Sequence, residues 1–322
     1  MSKIWLEPGK TLDTCHILEK KNVMTPRIRS GVMRRIKAAP TKPLRQVAQE
    51  AGLNRESVRL VVKEEGWKSL RRTKVPLVSA LGLQKRQERS QGLINNLKSA
   101  RQGRIIFFSD EKNFVIDPVY NPQNDRWIRI FDQEEDDQEP GHQAQRAKDT
   151  KNSKFVARSK HPASVMFLGA VASTGETSPP IWFPQGFRLG ADDYIKALKD
   201  TLIPWMRRVA AAHGNAPFVF QQDSAPAHRA KKTLEFLKGE NINFWSPEEW
   251  PPNSPDLNPL DYSIWSTVSQ KACKERQPSI LALKRKVGSY WRRMPPQDVR
   301  AACRRFRPRL ERCVAENGSY FD

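Results

Sequence analysis

Apolar positions recur along this chain in two rhythms, one helical and one of strands. Leu44, Val47, Ala48 and Ala51 fall at i, i+3, i+4 and i+7, which lines one face of a short helix. Val58, Val61 and Val62 give a second helix its inward face, after a GLN turn in which Gly52 suits a left-handed cap and Asn54 an N-cap. Ahead of both, GVMRRIKAA from Gly31 reads as a first helix closed by PTKP. Residues 78–100 read as a basic helix or helix pair, able to lie along a polyanion or to serve as a solvated linker. Beyond them the rhythm changes. Arg104 to Phe108 (RIIFF) is a continuous apolar run too short for a helix, which predicts a strand buried on both faces and ending just before Asp110. Val165 to Ala172 and Pro180 to Phe183 predict a hairpin around STGETS, and Phe218 to Phe220 and Ile242 to Trp245 predict two short strands. Ala230 to Lys238 predicts a helix, and the prolines after Trp250 forbid regular structure until Pro259, which suits the first turn of another. The elements predict an all-α N-terminal domain followed by an α/β domain with a mixed sheet flanked by helices.

Charge separates these regions further. The 322 residues carry a formal net charge of +21, which points to polyanionic partners and leaves the fold open. Residues 1–100 hold 22 Lys and Arg against 8 Asp and Glu, residues 101–261 hold 20 against 22, and residues 262–322 hold 14 against 5. The positive charge therefore flanks a nearly neutral, strand-rich middle. Within that middle, Asp132 to Glu139 (DQEEDDQE) opens a polar stretch to about Ser159, read as a solvated insertion because like charges in a block repel. No apolar run is long enough to span a membrane, and no signal-peptide pattern opens the chain, so a soluble intracellular protein without a membrane partner is expected. Cys15, Cys273, Cys303 and Cys313 are too scattered for a disulfide framework or a zinc site.

The helix pair around the GLN turn has the form of a helix-turn-helix, whose second helix enters the DNA major groove. Arg55, Ser57, Arg59 and Lys63 are left to point away from its apolar face, and Arg55 and Arg59 are candidates for guanine edges. Arg71, Arg72 and Lys74, in the KSLRRTK tail, are candidates for phosphate contacts; an ordinary three-helix bundle with a solvated basic face is the competing reading.

Asp110, Asp223 and Asp261 each follow a strand or open a helix, positions that alone need no function. Together they suit one site at one edge of a mixed sheet. Three converging carboxylates repel unless cations sit between them, and hard oxygen ligands favour Mg²⁺ or Mn²⁺. A pair of such ions about 4 Å apart serves phosphodiester chemistry.

SDEKNF (109–114), QQDSAPAH (221–228) and WPPNSPDLNPLDYSIW (250–265) resemble the three catalytic blocks of the mariner superfamily of DNA transposases, and the resemblance covers roughly residues 25–270. It implies an RNase H-like catalytic core with Asp110, Asp223 and Asp261 as the catalytic, metal-binding triad, and it passes over Glu111, Asp117 and Asp256. Thirty-seven residues separate Asp223 from Asp261, similar to a subgroup with an Asp in the last place. His228 is read as supporting the ligands, and Ser224 stands where many relatives have Asn. The implied layout is residues 1–75 as the DNA-binding domain, 76–103 as a basic linker and 104–322 as the catalytic domain. An acidic insertion at about 132–159 and a basic helical tail from about 270 belong to that last domain. Relatives carry two helix-turn-helix units; only about 25 residues precede the one read here, so the first is expected to be truncated. The implied activity is excision at terminal inverted repeats and joining to a TA target by two divalent ions, in a homodimer acting in the nucleus on double-stranded DNA. Two other readings are a transposase-derived DNA-binding protein that no longer transposes, and a Mg²⁺-dependent nuclease of the same fold.

Overall fold

The computed structural model describes residues 25–69, 76–99, 103–118 and 159–321. The chain divides into two compact units, Met1–Lys74 and Val75–Asp322. Cys15, Arg71, Arg72, Lys74, the segment before residue 25 and the acidic stretch up to residue 158 lie outside the described residues.

The described residues of the first unit form three helices, α1 (Pro26–Ala38), α2 (Leu44–Glu50) and α3 (Arg55–Glu64), around Val32, Val47, Ala48, Val58 and Val61. The α1 helix starts five residues before the expected Gly31, because Pro26 suits a first helical turn and the Thr25 hydroxyl accepts from the Ile28 amide at 3.3 Å. Gly52 turns the chain with φ +64°, and the Asn54 side chain accepts from the Glu56 amide at 2.9 Å, so both caps form where the pattern places them. Arg29 ties α1 to the end of α3 through Glu64 at 2.7 Å and Glu65 at 2.6 Å.

The second unit begins with α4 (Ala80–Ser99), a single helix. It buries Arg86, Ser90, Leu93 and Ile94, so it is docked on the core and is not a solvated linker. Among the described residues the sheet has four strands in the order β3-β2-β1-β4: β1 (Ile105–Val115), β2 (Ser164–Ala172), β3 (Ile181–Phe183) and β4 (Phe218–Gln221). Strands β1, β2 and β3 pair antiparallel, whereas β4 runs parallel to β1. Strand β1 continues well past Phe108, since β2 pairs with it through Val115. Its polar second half, DEKN, carries no buried-strand signal, so only the partner strand reveals it. The expected strand at Ile242–Trp245 is reduced to one bridge, Phe220 to Phe244, because β4 offers it only Phe220, whose amide donates to Asn243 O at 2.8 Å.

One sheet face packs on α5 (Ala191–Ala197), α6 (Ile203–Ala212) and α7 (Lys231–Gly239), with Phe107, Leu168, Tyr194, Met206 and Leu237 at its centre. The other packs on α4 and on α8 (Trp265–Ala272), α9 (Ile280–Arg292), α10 (Pro296–Arg304) and α11 (Phe306–Ala315), around Phe108, Phe167, Trp265, Trp291 and Phe306. Among the described residues no helix is long and apolar enough to cross a membrane.

Candidate active site

A cleft opens where β4 stops. Because β4 pairs only with Ile105–Phe108, the next residues of β1 have no neighbouring strand on that side. Asn258 fills part of the gap: its amide donates to Ser109 O at 3.4 Å, and its carbonyl accepts from the Leu260 amide at 3.1 Å. That second bond opens a π-helical turn, Leu260–Ile264, which carries Asp261 and runs directly into α8. Asp223 lies two residues beyond β4, so three distant segments deliver carboxylates to one region. Asp110 is not at a strand end, as its block predicts; it is inside β1 opposite Gly169, on the stretch of β1 beyond the last residue that β4 pairs with. The cleft, about 320 Å³, is lined by Asp223, Ser224, Trp250, Asn258 and Asp261 among others.

Asp110 and Asp261 lie close enough for each carboxyl to bear on the other's charge, a crowding that a proton or a cation would relieve. Burial pushes Asp110 up from the ordinary carboxylate range; Asp261 and Glu111 add to the shift, and the Trp265 indole, donating to Asp110 Oδ2 at 2.5 Å, works against it. Asp261 is raised as well by the protein around it, with Lys112 opposing. Asp223 behaves differently. Burial acts to raise it, but His228 Nδ1 at 2.6 Å and the Ala225 amide at 2.8 Å hold its carboxylate and leave the net shift downward. Burial likewise works to neutralise His228, yet Glu111, 3.1 Å from Nε2, and Asp223 overcome it and push the imidazolium up to about 10. His228 is thus a charged bridge between Asp223 and Glu111, with the Tyr194 ring tilted against its own at 4.1 Å between centroids.

The three aspartates are hard oxygen donors of the kind a divalent ion takes, and the crowding of Asp110 and Asp261 fits a missing positive charge. Asp223 is turned toward His228, and among the described residues no three His, Cys, Asp or Glu side chains close into a ready ligand set. Asp256 is elsewhere, paired with Arg86 at 2.6 Å, and Asp117 is buried against the Ser159 amide at 2.7 Å. Ser224 Oγ is buried without a hydrogen-bond partner among the described residues.

Sequence reasoning passed over Glu111, Asn258 and Trp265. Trp265 had a signal: four residues after Asp261 on a helix, it shares a face with it. Glu111 had none, since its link to His228 spans 117 positions.

In the first unit, Arg55, Arg59 and Lys63 are exposed on α3, and Ser57 is half-buried. Arg59 is engaged by Glu56 within its own helix, Nη2 to Oε1 at 2.5 Å, so its charge is offset before any partner arrives. The basic C-terminal segments form amphipathic helices whose arginines partly serve the fold. Arg305 donates to Ser263 Oγ at 2.9 Å, and Arg309 lies over the Tyr262 ring at 4.6 Å, so both brace the turn that carries Asp261.

No protein-family model matches the chain. A stretch of 134 residues, 41% of the chain, is 26% identical to the transposable element Tc3 transposase of Caenorhabditis elegans and spans 38% of that protein. Another of 104 residues, 32% of the chain, is 26% identical to the mariner Mos1 transposase of Drosophila mauritiana and spans 29% of it. The chain is homologous to Tc1/mariner transposases. The aligned stretches cover well under half the length of these curated relatives. Over its whole length the chain superposes on the Mos1 mariner paired end complex with Mn with a TM-score of 0.71 at 17% identity, spanning 83% of that chain. The likeness establishes the fold: a mixed sheet flanked by helices in the RNase H-like arrangement, preceded by a helical N-terminal region.

Proposed function

We propose that the chain is a cut-and-paste DNA transposase, which binds terminal inverted repeats, cleaves the DNA strands beside them and joins the freed 3′ ends to a TA target. One observation carries this reading: Asp223 and Asp261 line one cleft at the end of a mixed sheet, and both lie close enough to the buried Asp110 for their charges to act on it. Asp110, Asp223 and Asp261 would hold Mg²⁺ or Mn²⁺, two ions per site. Divalent ions held there would supply activation of water or of a DNA 3′-OH as nucleophile and stabilisation of the leaving oxygen. The chain's own groups prepare that chemistry. His228 keeps the Asp223 carboxylate ionised, Lys112 offsets part of the Asp261 charge, and Asn258 fastens the Asp261 turn to β1. The exposed face of α3, with Arg55 and Lys63, suits the major groove, and the 37-residue separation of Asp223 and Asp261 supports assignment to the corresponding mariner subgroup. Bringing two DNA ends together calls for a homodimer, and the substrate for work in the nucleus.

Purified protein incubated with Mg²⁺ or Mn²⁺ and DNA bearing the gene's flanking repeats tests the reading. Strand cleavage and joining are expected, both lost in Asp110→Ala and Asp261→Ala. Cleavage surviving either substitution overturns the site; binding without cleavage favours a retired transposase, and cleavage without joining a nuclease.

A further inference from the structure

Trp265 reaches Asp110 only because the residue across the sheet has no side chain. In the β1–β2 pairing Asp110 lies opposite Gly169. A Cβ on Gly169 would stand 2.8 Å from Cη2 and 2.9 Å from Cζ2 of Trp291, and 3.0 Å from Cη2 of Trp265. The two distances to Trp291 are steric overlaps with a rigid ring, and the third is a tight contact with Trp265, which would have to give way. The bare backbone at residue 169 is therefore the floor on which both indoles lie.

The arrangement over that floor is tightly determined. Trp265 and Trp291 stack with centroids 5.4 Å apart, and Phe167 meets them edge-on at 5.6 Å and 5.0 Å. Trp291 is pinned by its own Nε1, which donates to Ser178 O at 2.7 Å. Trp265, 2% exposed, has its Nε1 aimed at Asp110 Oδ2 at 2.5 Å. A buried indole needs an acceptor, and a neutral carbonyl would have sufficed; here the acceptor is a carboxyl crowded by Asp261 and Glu111. A carboxylate offers about four acceptor positions, so one donated N–H sets its rotamer without exhausting it as a ligand. Trp265 also opens α8 directly after the π-helical turn of Asp261, so a single ring couples the two acids through one short piece of backbone.

We propose that Trp265 is a positioning residue for the Asp110 carboxylate, admitted by the vacancy at Gly169, and that it sets how tightly the site takes a divalent cation. The proposal rests on reading Asp110 as a metal ligand.

Trp265→Phe keeps a ring over Gly169 and removes the N–H. In Mn²⁺ titrations of the full chain by calorimetry, affinity is expected to fall about 10- to 100-fold, the usual effect of losing a group that orients a ligand. The metal-free unfolding temperature should stay close to that of the unsubstituted chain, and cleavage should recover at saturating Mn²⁺. Asp110→Asn, run in parallel, separates the two levels of the argument. If Asp110→Asn binds Mn²⁺ as tightly as the unsubstituted chain, the ligand assignment itself fails. If it loses binding while Trp265→Phe does not, the positioning role fails alone. Loss of affinity in Trp265→Phe only together with loss of cooperative unfolding marks a packing defect and also overturns the proposal.

Discussion

Replacing Arg86 by Met should cost the second unit about 3–5 kcal/mol of folding stability, the range for removing one partner of a buried ion pair. The guanidinium is fully buried on α4. Its Nη1 and Nη2 take both oxygens of Asp256, at 3.1 Å and 2.6 Å, its Nε donates to Gly318 O at 2.7 Å, and Nη1 also reaches Asn253 O at 2.8 Å and Ser254 Oγ at 2.6 Å. Its planar face lies over the Tyr320 ring at 4.5 Å. One side chain thus joins α4, the Pro-rich segment before Asp261 and the end of the described chain. Met fills much of the same volume but donates nothing. Asp256, its side chain 8% exposed, would lose its bidentate partner, and the nearby Arg309 makes its hydrogen bond to the Asp256 backbone carbonyl. Each carbonyl stripped of its donor carries a penalty of about 1–3 kcal/mol, and relaxation keeps these from adding in full. Urea unfolding of the full chain at pH 7, followed by tryptophan fluorescence, measures the loss. A double-mutant cycle with Asp256→Leu isolates the pair, and Arg86→Met with Asp256→Leu should recover a large part of the stability lost by Arg86→Met alone. A cost below about 1 kcal/mol for Arg86→Met would refute the reasoning, since it would mean that water or another cation compensates Asp256.

Four further outcomes are expected. Asp110→Asn removes a carboxyl raised by burial and by three neighbouring acids, so differential scanning should show a higher metal-free unfolding temperature and no further rise with Mg²⁺; an unchanged metal increment would contradict the site. Burial pushes the Cys303 thiol up to about 12 from its ordinary 9.0. The folded state therefore keeps its proton where the unfolded state begins to lose it, and Cys303 contributes stability that is complete below pH 9 and lost as pH rises toward 12. Peptide mapping after iodoacetamide at pH 8 should find Cys303 labelled only once the chain is unfolded. Glu56→Gln frees Arg59, so binding to duplex DNA should tighten and its salt dependence steepen by about one phosphate contact, as gel shifts at several salt concentrations would register; Arg55→Ala should weaken specific binding by roughly 1–3 kcal/mol.

Much of this protein is written locally. The helix-turn-helix unit could be drawn from the apolar spacing of α2 and α3, the glycine between them and the asparagine cap, because each depends on residues within a few positions. The same holds for the apolar cores of β2 and β4 and for the three blocks that carry Asp110, Asp223 and Asp261. The Glu56–Arg59 pair was equally local, an i, i+3 spacing that the sequence reading did not weigh.

What the order of residues left open concerns partners far apart in the chain. The second half of β1 is polar, so its strand character comes from β2 alone. Helix α4 has a basic exterior, and only the placement of Asp256 and the chain end turns Arg86 into a buried anchor. Which acids touch, that His228 bridges Asp223 to Glu111, and that an indole lies across Gly169 onto Asp110 were all decided by the short β4 and the π-helical turn. Local pattern reports each residue's own conformational preference and its wish for water or burial. The pairing of charges inside a low-dielectric cleft belongs to the assembled sheet, where desolvation makes each partner's identity matter.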